Sequence, residues 1–308
     1  MVIVRYLEYL AVLAKERHFA RAAAVCNVTQ PALSAGIKQL EESLGVLIVE
    51  RRQRFAGLTP EGERVLGWAQ RVLADYSNLE QELSELRDGQ GGLIRLGAIP
   101  VSLPVVALIT APLTARHPRV HFKVTSLTSV EIQRGVDDFS LDAALTYLDN
   151  ERLTNVRTQP LYRERYVLVS YRRPELRDRQ QMSWSEAVSL PLCLLTPEMQ
   201  NRRIIDMHFQ EAGVKPQPIL ETNSLIALWS HIRLGGYASI VPHTFLLFLT
   251  ERDELTCIPM VEPAASHLLG LVATDRDPLP PLTQSLLTLA SGWDLSAEIE
   301  RRVGYRTL

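Results

Sequence analysis

The stretch from Phe19 to Gly45, FARAAAVCNVTQPALSAGIKQLEESLG, constrains this 308-residue chain more than any other. Ala22, Ala23, Val25 and Cys26 form a small apolar face, and Leu33, Ile37, Leu40 and Leu44 recur every three or four residues. This spacing predicts two short helices joined by a tight turn, a helix-turn-helix. Thr29 stands where a side-chain oxygen would cap the second helix, and Pro31 falls in its first turn, where a missing N–H costs little. Gln30, Ala32 and Ser34 would then face outward, free to read base edges in a major groove.

The formal net charge is −2, but residues 1–58 carry eight Lys/Arg against five acids, a local surplus of +3. Arg21 and Lys38 belong to the helix-turn-helix, and Arg51, Arg52 and Arg54 follow it. An earlier amphipathic helix (Tyr6, Leu7, Leu10, Val12, Leu13, Ala14) covers its back. Val46 to Val49 reads as a short strand, the arginines as a tip, and Phe55-Ala56-Gly57 as the return, so a wing is expected to bring positive charge to phosphates or the adjacent minor groove.

Thr59-Pro60 opens a long helix with a cap followed by proline at the first helical position. Val65, Ala69, Val72, Tyr76, Leu79, Leu83 and Leu86 alternate four and three residues apart, with Arg71, Glu80, Glu82, Glu85 and Arg87 outside the seam. Such a narrow stripe predicts pairing between subunits, which would also hold two recognition helices at a fixed spacing. Gly89, Gly91 and Gly92 then mark a hinge. From Leu93 onward strands alternate with helices, giving an α/β region with a mainly parallel sheet.

The N-terminal residues resemble the signature of LysR-type transcriptional regulators: Phe19, Ala22-Ala23, Thr29 through Ser34, Ile37, Leu40-Glu41, Leu44-Gly45, Arg51, Leu58-Thr59 and Gly62. Two positions depart from it: Ala35 stands where the family is frequently basic, and Gly36 interrupts a helix, where glycine costs about 1 kcal/mol against alanine. Leu103-Pro104, His117-Pro118, Leu141 through Leu145, Glu164 through Val169 and Gly236 through Pro242 look like landmarks of LysR-type effector domains. The resemblance implies a fold class of α/β with an N-terminal winged helix-turn-helix (1–58), a dimerisation linker helix (59–88) and a two-lobed effector-binding domain of the periplasmic-binding-protein type (89–308). Lobe 1 would comprise residues 93–161 and 268–308, and lobe 2 residues 162–267. Implied partners are double-stranded operator DNA, a small-molecule effector and a second copy of the chain, with tetramers formed from dimers; RNA polymerase is a further partner to test.

Ligands of open α/β sheets sit beyond the carboxyl ends of strands, where helix N-termini gather. That rule nominates Ser102, Thr128 with Ser129, Thr196 and Asn223 as helix starts offering N–H groups to an anion. Thr146 and Tyr147 would add a hydroxyl and an aromatic wall, and Pro100 and Val101 an apolar rim. Arg202 and Arg203 read as an exposed helical face, with pocket cations as the alternative. A small carboxylate fits this pocket better than a polyphosphate, and the stretches 97–104, 126–129 and 146–150 resemble LysR-type regulators that accompany formate dehydrogenase genes, which makes formate the specific effector expectation.

Two rival classes are an enzyme and a solute receptor acting on a small organic acid. The chain has no G-x-S-x-G elbow, phosphate loop, H-E-x-x-H or G-x-G-x-x-G motif. Its seven histidines are scattered, only His117 and His121 being close in sequence, so neither a cofactor nor a metal is expected. Cys26, Cys193 and Cys257 read as packed thiols, with a redox pair of Cys193 and Cys257 as the alternative. With no export signal or long apolar run, the expected location is the cytoplasm.

Overall fold

The computed structural model describes residues 2–51, 55–88, 91–171, 173–248 and 255–304. They fall into two compact units, Met1–Gly89 and Gln90–Leu308. No helix among the described residues is long and apolar enough to cross a membrane.

In the first unit, α1 (Val2–Glu16), α2 (Phe19–Val25) and α3 (Gln30–Leu44) bury Leu10, Leu13, Ala22, Leu33, Ile37 and Leu40 against one another. Gly36, the residue that propensity disfavours, has a packing reason: a Cβ there would lie 2.7 Å from the Tyr9 ring and 2.9 Å from Tyr6. The Tyr6 and Tyr9 rings of α1 occupy the space that a side chain there would need. Gly45 ends α3 in the left-handed region at φ 69°, which glycine adopts without strain. Glu41 is buried because its Oε1 accepts the N–H groups of Ile48 and Val49 at 2.9 and 3.1 Å, tying α3 to the hairpin that follows.

That hairpin begins later than the sequence suggests: in place of a strand over Val46 to Val49, β1 is Val49–Arg51, which takes Arg51 from the expected tip into the strand, and it pairs antiparallel with β2, Phe55–Leu58. The predicted tip residues Arg52 and Arg54 lie outside the described residues, as do Gly89 and Gln90 of the predicted hinge; Gly91 and Gly92 already belong to a strand. The long helix α4 (Pro60–Asp88) is capped by Thr59, whose Oγ1 accepts the Gly62 N–H at 2.9 Å and donates to Leu47 O at 2.6 Å. Its stripe divides. Val65 and Ala69 pack into their own unit, whereas Val72, Tyr76, Leu79 and Leu83 are exposed.

The second unit has two lobes sharing two long strands. Lobe 1 contains β3 (Gly91–Ala98), α5 (Leu103–Arg116), β4 (Arg119–Ser126), α6 (Ser129–Asp137) and β5 (Ala143–Tyr147). The strand β6 (Val156–Tyr171) then crosses into lobe 2, which holds β7 (Met182–Ser183), α7 (Trp184–Ala187), β8 (Cys193–Leu195), α8 (Gln200–Glu211), β9 (Leu220–Thr222), α9 (Leu225–Gly235), β10 (Ala238–Pro242) and β11 (Leu255–Val261). The chain returns through β12 (Ser266–Thr274) to α10 (Pro281–Ser291) and α11 (Leu295–Val303). Residues Gly292 to Asp294 separate these last two helices.

Strand register explains the crossing. Residues 156–165 of β6 pair antiparallel with β12, and residues 166–171 pair antiparallel with β10 and β11. The sheet is consequently mixed, correcting the expectation of a mainly parallel one: β3 runs parallel to β4 and β5, and the crossover strands supply the antiparallel pairs. Strands that leave and re-enter a lobe within one sheet must run oppositely.

Candidate functional site

Two sites emerge, one in each unit. On α3, Leu33, Gly36, Ile37, Leu40 and Glu41 are buried, leaving Gln30, Pro31, Ala32, Ser34 and Lys38 exposed on the other face. Thr29 caps this helix, its Oγ1 accepting the Ala32 N–H at 3.4 Å. Arg21 is exposed, with Nη2 donating to Glu16 O at 2.6 Å, and Lys38 lies 3.4 Å from Glu42 one turn on. The backbone of Arg51 is placed in β1. The expected recognition surface is thus one exposed helical face beside a hairpin.

In the second unit, α8 of lobe 2 meets the loop after β5 of lobe 1. Arg203 uses its whole guanidinium: Nε and Nη2 hold Glu151 at 2.6 and 2.5 Å, Nη2 also reaches Ser129 Oγ at 3.2 Å, and Nη1 donates to the carbonyls of Pro197 and Glu198. Ser129 Oγ in turn donates to Glu151 at 3.2 Å. Hydrogen bonding to Arg203 holds the Glu151 carboxyl below its ordinary pKa. Glu151 sits at φ 48°, a left-handed conformation that costs a non-glycine residue about 1–3 kcal/mol and persists where contacts overdetermine it. Next to Arg203, Gln200 Nε2 donates to Asn150 O at 2.7 Å, and Asn201 Nδ2 donates to the hydroxyls of Tyr147 and Tyr166 at 3.0 and 3.3 Å.

Beneath this latch both tyrosine hydroxyls converge on Glu164 Oε1, and Glu164 Oε2 is buried without a partner. Burial pushes the Glu164 carboxyl up to about 8. It is therefore neutral at pH 7, which suits a fully enclosed carboxyl. Thr146 Oγ1 and Gln200 Oε1 are likewise buried and unpartnered.

Several expected effector residues have other duties. Ser102 makes no cap; it is fully buried, and its Oγ donates to Ile99 O at 2.9 Å and to Leu145 O at 3.3 Å. Pro100 and Val101, expected as a rim, are core residues of a short 3-10 turn. Thr196 donates to Glu198 at 2.7 Å instead of capping α8, whose cap position is Met199, and Asn223 is exposed while Ser224 caps α9. Thr128 does form a capping box with Glu131, and Ser129 and Tyr147 do lie at the seam. Arg203 departs from the exposed-face reading and follows the alternative, a cation turned toward Glu151 and Ser129. Arg202 also turns inward, to Asp206, Glu221 and Leu195 O. A groove of about 590 Å³ lies elsewhere, between α5 and α10, lined by Leu113, Arg116, His117, Gln284, Thr288 and Trp293.

The cysteines are separated by the sheet. Leu192, next to Cys193, bridges Ala238 of β10; Ala238 pairs with Ser170 of β6, and Cys257 pairs with Val169. Three strand spacings of about 4.8 Å put the two near about 14 Å apart, where a disulfide needs Cα atoms within about 7 Å. Burial raises the Cys193 thiol to about 11.

Residues 4–63 match the family model of bacterial regulatory helix-turn-helix proteins of the lysR family, and residues 87–293 match the LysR substrate binding domain. The chain belongs to the LysR family of transcriptional regulators. It is similar to the DNA-binding transcriptional dual regulator OxyR of Escherichia coli (strain K12), 26% identical over 90% of each chain, and to the HTH-type transcriptional regulator CfxR of Cupriavidus necator, 28% identical over 81% of this chain and 79% of the relative. Among solved structures, a full-length OxyR variant from Pseudomonas aeruginosa shares the fold at TM-score 0.72 and 23% identity, covering 94% of this chain and 97% of that one. CbnR complexed with its target DNA does so at TM-score 0.64 and 18% identity, covering 94% and 98%. The LysR regulator described here is a DNA-binding protein with an effector domain, not an enzyme.

Proposed function

We propose that this LysR-type regulator pairs through α4, reads its operator with the exposed face of α3 and the adjoining hairpin, and is switched by a small carboxylate that replaces Glu151 at the seam between lobes. One observation carries the effector class: Arg203 and Ser129 already grip a carboxylate, and it is the chain's own. The Glu151 side chain stands in for the ligand. A free acid of that size would meet the same guanidinium and hydroxyl, and displacing Glu151 would relieve its left-handed backbone. Formate is the first member of the class to test, on the subgroup resemblance. The exposed Val72, Tyr76, Leu79 and Leu83 support a dimer through α4, with tetramers formed by pairing of effector units.

Two relatives' names speak instead of hydrogen peroxide: the hydrogen peroxide-inducible genes activators of Pectobacterium carotovorum and Dickeya chrysanthemi, each 27% identical over 90% of this chain. A peroxide response through Cys193 and Cys257 is disfavoured here by their separation and by the high thiol pKa of Cys193, since the thiolate is the reactive form. The test is operator binding by the full-length protein with formate, acetate and larger acids. An acid should change operator affinity of the unaltered protein and fail to do so in Arg203→Ala, with basal operator binding retained. An unchanged response in Arg203→Ala would remove this site from the account.

A further inference from the structure

His208 on α8 and His267 at the start of β12 are far apart in sequence, yet their Nε2 atoms face each other at 3.0 Å. A carboxylate stands behind each ring: Glu211 Oε2 lies 2.8 Å from Nδ1 of His208, and Asp149 Oδ1 lies 3.4 Å from Nδ1 of His267. A neutral imidazole has a single N–H. If both rings donate from Nδ1 to their carboxylates, two bare lone pairs confront each other at Nε2. If one ring moves its proton to Nε2, its Nδ1 lone pair confronts a carboxylate. A cation between the Nε2 atoms resolves the conflict, and imidazole backed at Nδ1 by carboxylate is the arrangement that orients metal-binding histidines.

We propose that His208 and His267 form a two-histidine site for a divalent transition-metal ion of the zinc or nickel class, with Glu211 and Asp149 orienting the rings. Two imidazoles on a tetrahedral ion at about 2.05 Å hold their Nε2 atoms about 3.3 Å apart and their centroids about 5.3 Å apart. Here the centroids are 5.3 Å apart. Tilting the rings, with neither centroid moving, converts the facing pair into a converging one. The ring centroid of Trp184 lies 5.1 Å from that of His208, and those of Tyr147 and Tyr166 lie 6.0 and 6.2 Å from that of His267 in edge-to-face arrangements, so aromatic walls hold both rings in place. No group of three His, Cys, Asp or Glu suited to a metal occurs among the described residues, so water completes the coordination. The carboxylates behind the rings are the open part of this cluster, Glu211 being 50% and Asp149 29% exposed, whereas the His208 and His267 side chains are 8% and 11% exposed. The ion would join α8, which also carries Asn201 and Arg203, to the crossover strand β12, and so stiffen the helix on which the seam depends.

The experiment is calorimetric titration of zinc chloride, and separately nickel chloride, into chelator-stripped full-length protein. One ion should bind per chain, and saturable binding should be lost in His208→Ala and His267→Ala. Glu211→Gln should bind about 10- to 100-fold more weakly, as expected for loss of an orienting carboxylate. If His208→Ala does not fold, His267→Ala, nearer the surface, serves with quenching by nickel of the neighbouring Trp184 fluorescence as the readout. Absence of saturable binding, leaving the pair with a shared proton only, would overturn the proposal. So would one-to-one binding that persists unchanged in His267→Ala.

Discussion

Glu164→Gln isolates the titration of the buried seam. The Glu164 carboxyl rises from an ordinary 4.5 to about 8 because it is enclosed, its two tyrosine donors only partly offsetting the lost hydration. A carboxyl raised in the folded state contributes stability that is complete below about pH 4.5 and is lost as pH rises toward 8. Tenfold in proton affinity is worth about 1.4 kcal/mol, so the full span amounts to about 5 kcal/mol, of which about 2.5 kcal/mol falls between pH 5 and pH 7. For a unit of this size that is about 5–10 °C in melting temperature. The glutamine variant does not titrate. Trp184 fluorescence melts of both proteins from pH 5 to pH 9, in the presence of a chelator, should therefore converge or cross as pH rises, the wild type losing stability faster. Parallel curves over the whole range would refute the claim that this carboxyl is buried and neutral at pH 7.

Other perturbations test separate parts. Gly36→Ala should destabilise the first unit by about 1–3 kcal/mol in denaturant unfolding, because a Cβ overlaps Tyr9 and Tyr6, where helix propensity alone predicts a gain of about 1 kcal/mol. Gln30→Ala or Ser34→Ala should relax sequence discrimination by about 1–3 kcal/mol, whereas Arg52→Ala or Arg54→Ala should lower affinity for specific and random duplexes alike and flatten the salt dependence; titrations at several salt concentrations separate the two. Hydrogen peroxide should leave operator binding unchanged and form no Cys193–Cys257 disulfide, and a disulfide found by mass spectrometry would contradict the strand order around those residues.

What was legible in the sequence depended on whether its determinants are local. The apolar spacing from Ala22 to Leu44, the Thr29 cap and the Thr128–Glu131 capping box involve residues within a turn of one another, and the structure contains all three. The crossover near Tyr166 came from resemblance, and strand register supplies its physical basis. The seam was largely invisible. Arg203 looks like any charged residue on an amphipathic helix until the loop after β5 brings Glu151 against it. Ser102 and Thr196 resemble caps, but their hydroxyls are claimed by Ile99 O and Glu198. His208 and His267 share no motif, and only the return of β12 past α8 makes them neighbours.

The most direct test of the regulator account is a quantitative footprint on the fragment upstream of the gene, with random DNA as competitor, comparing the full-length protein with Glu151→Gln across a panel of small carboxylates. The account predicts specific protection that one acid alters, with Glu151→Gln responding at lower acid concentration because its internal competitor carries no charge. Specific protection indifferent to every acid in both proteins would contradict carboxylate gating at the seam.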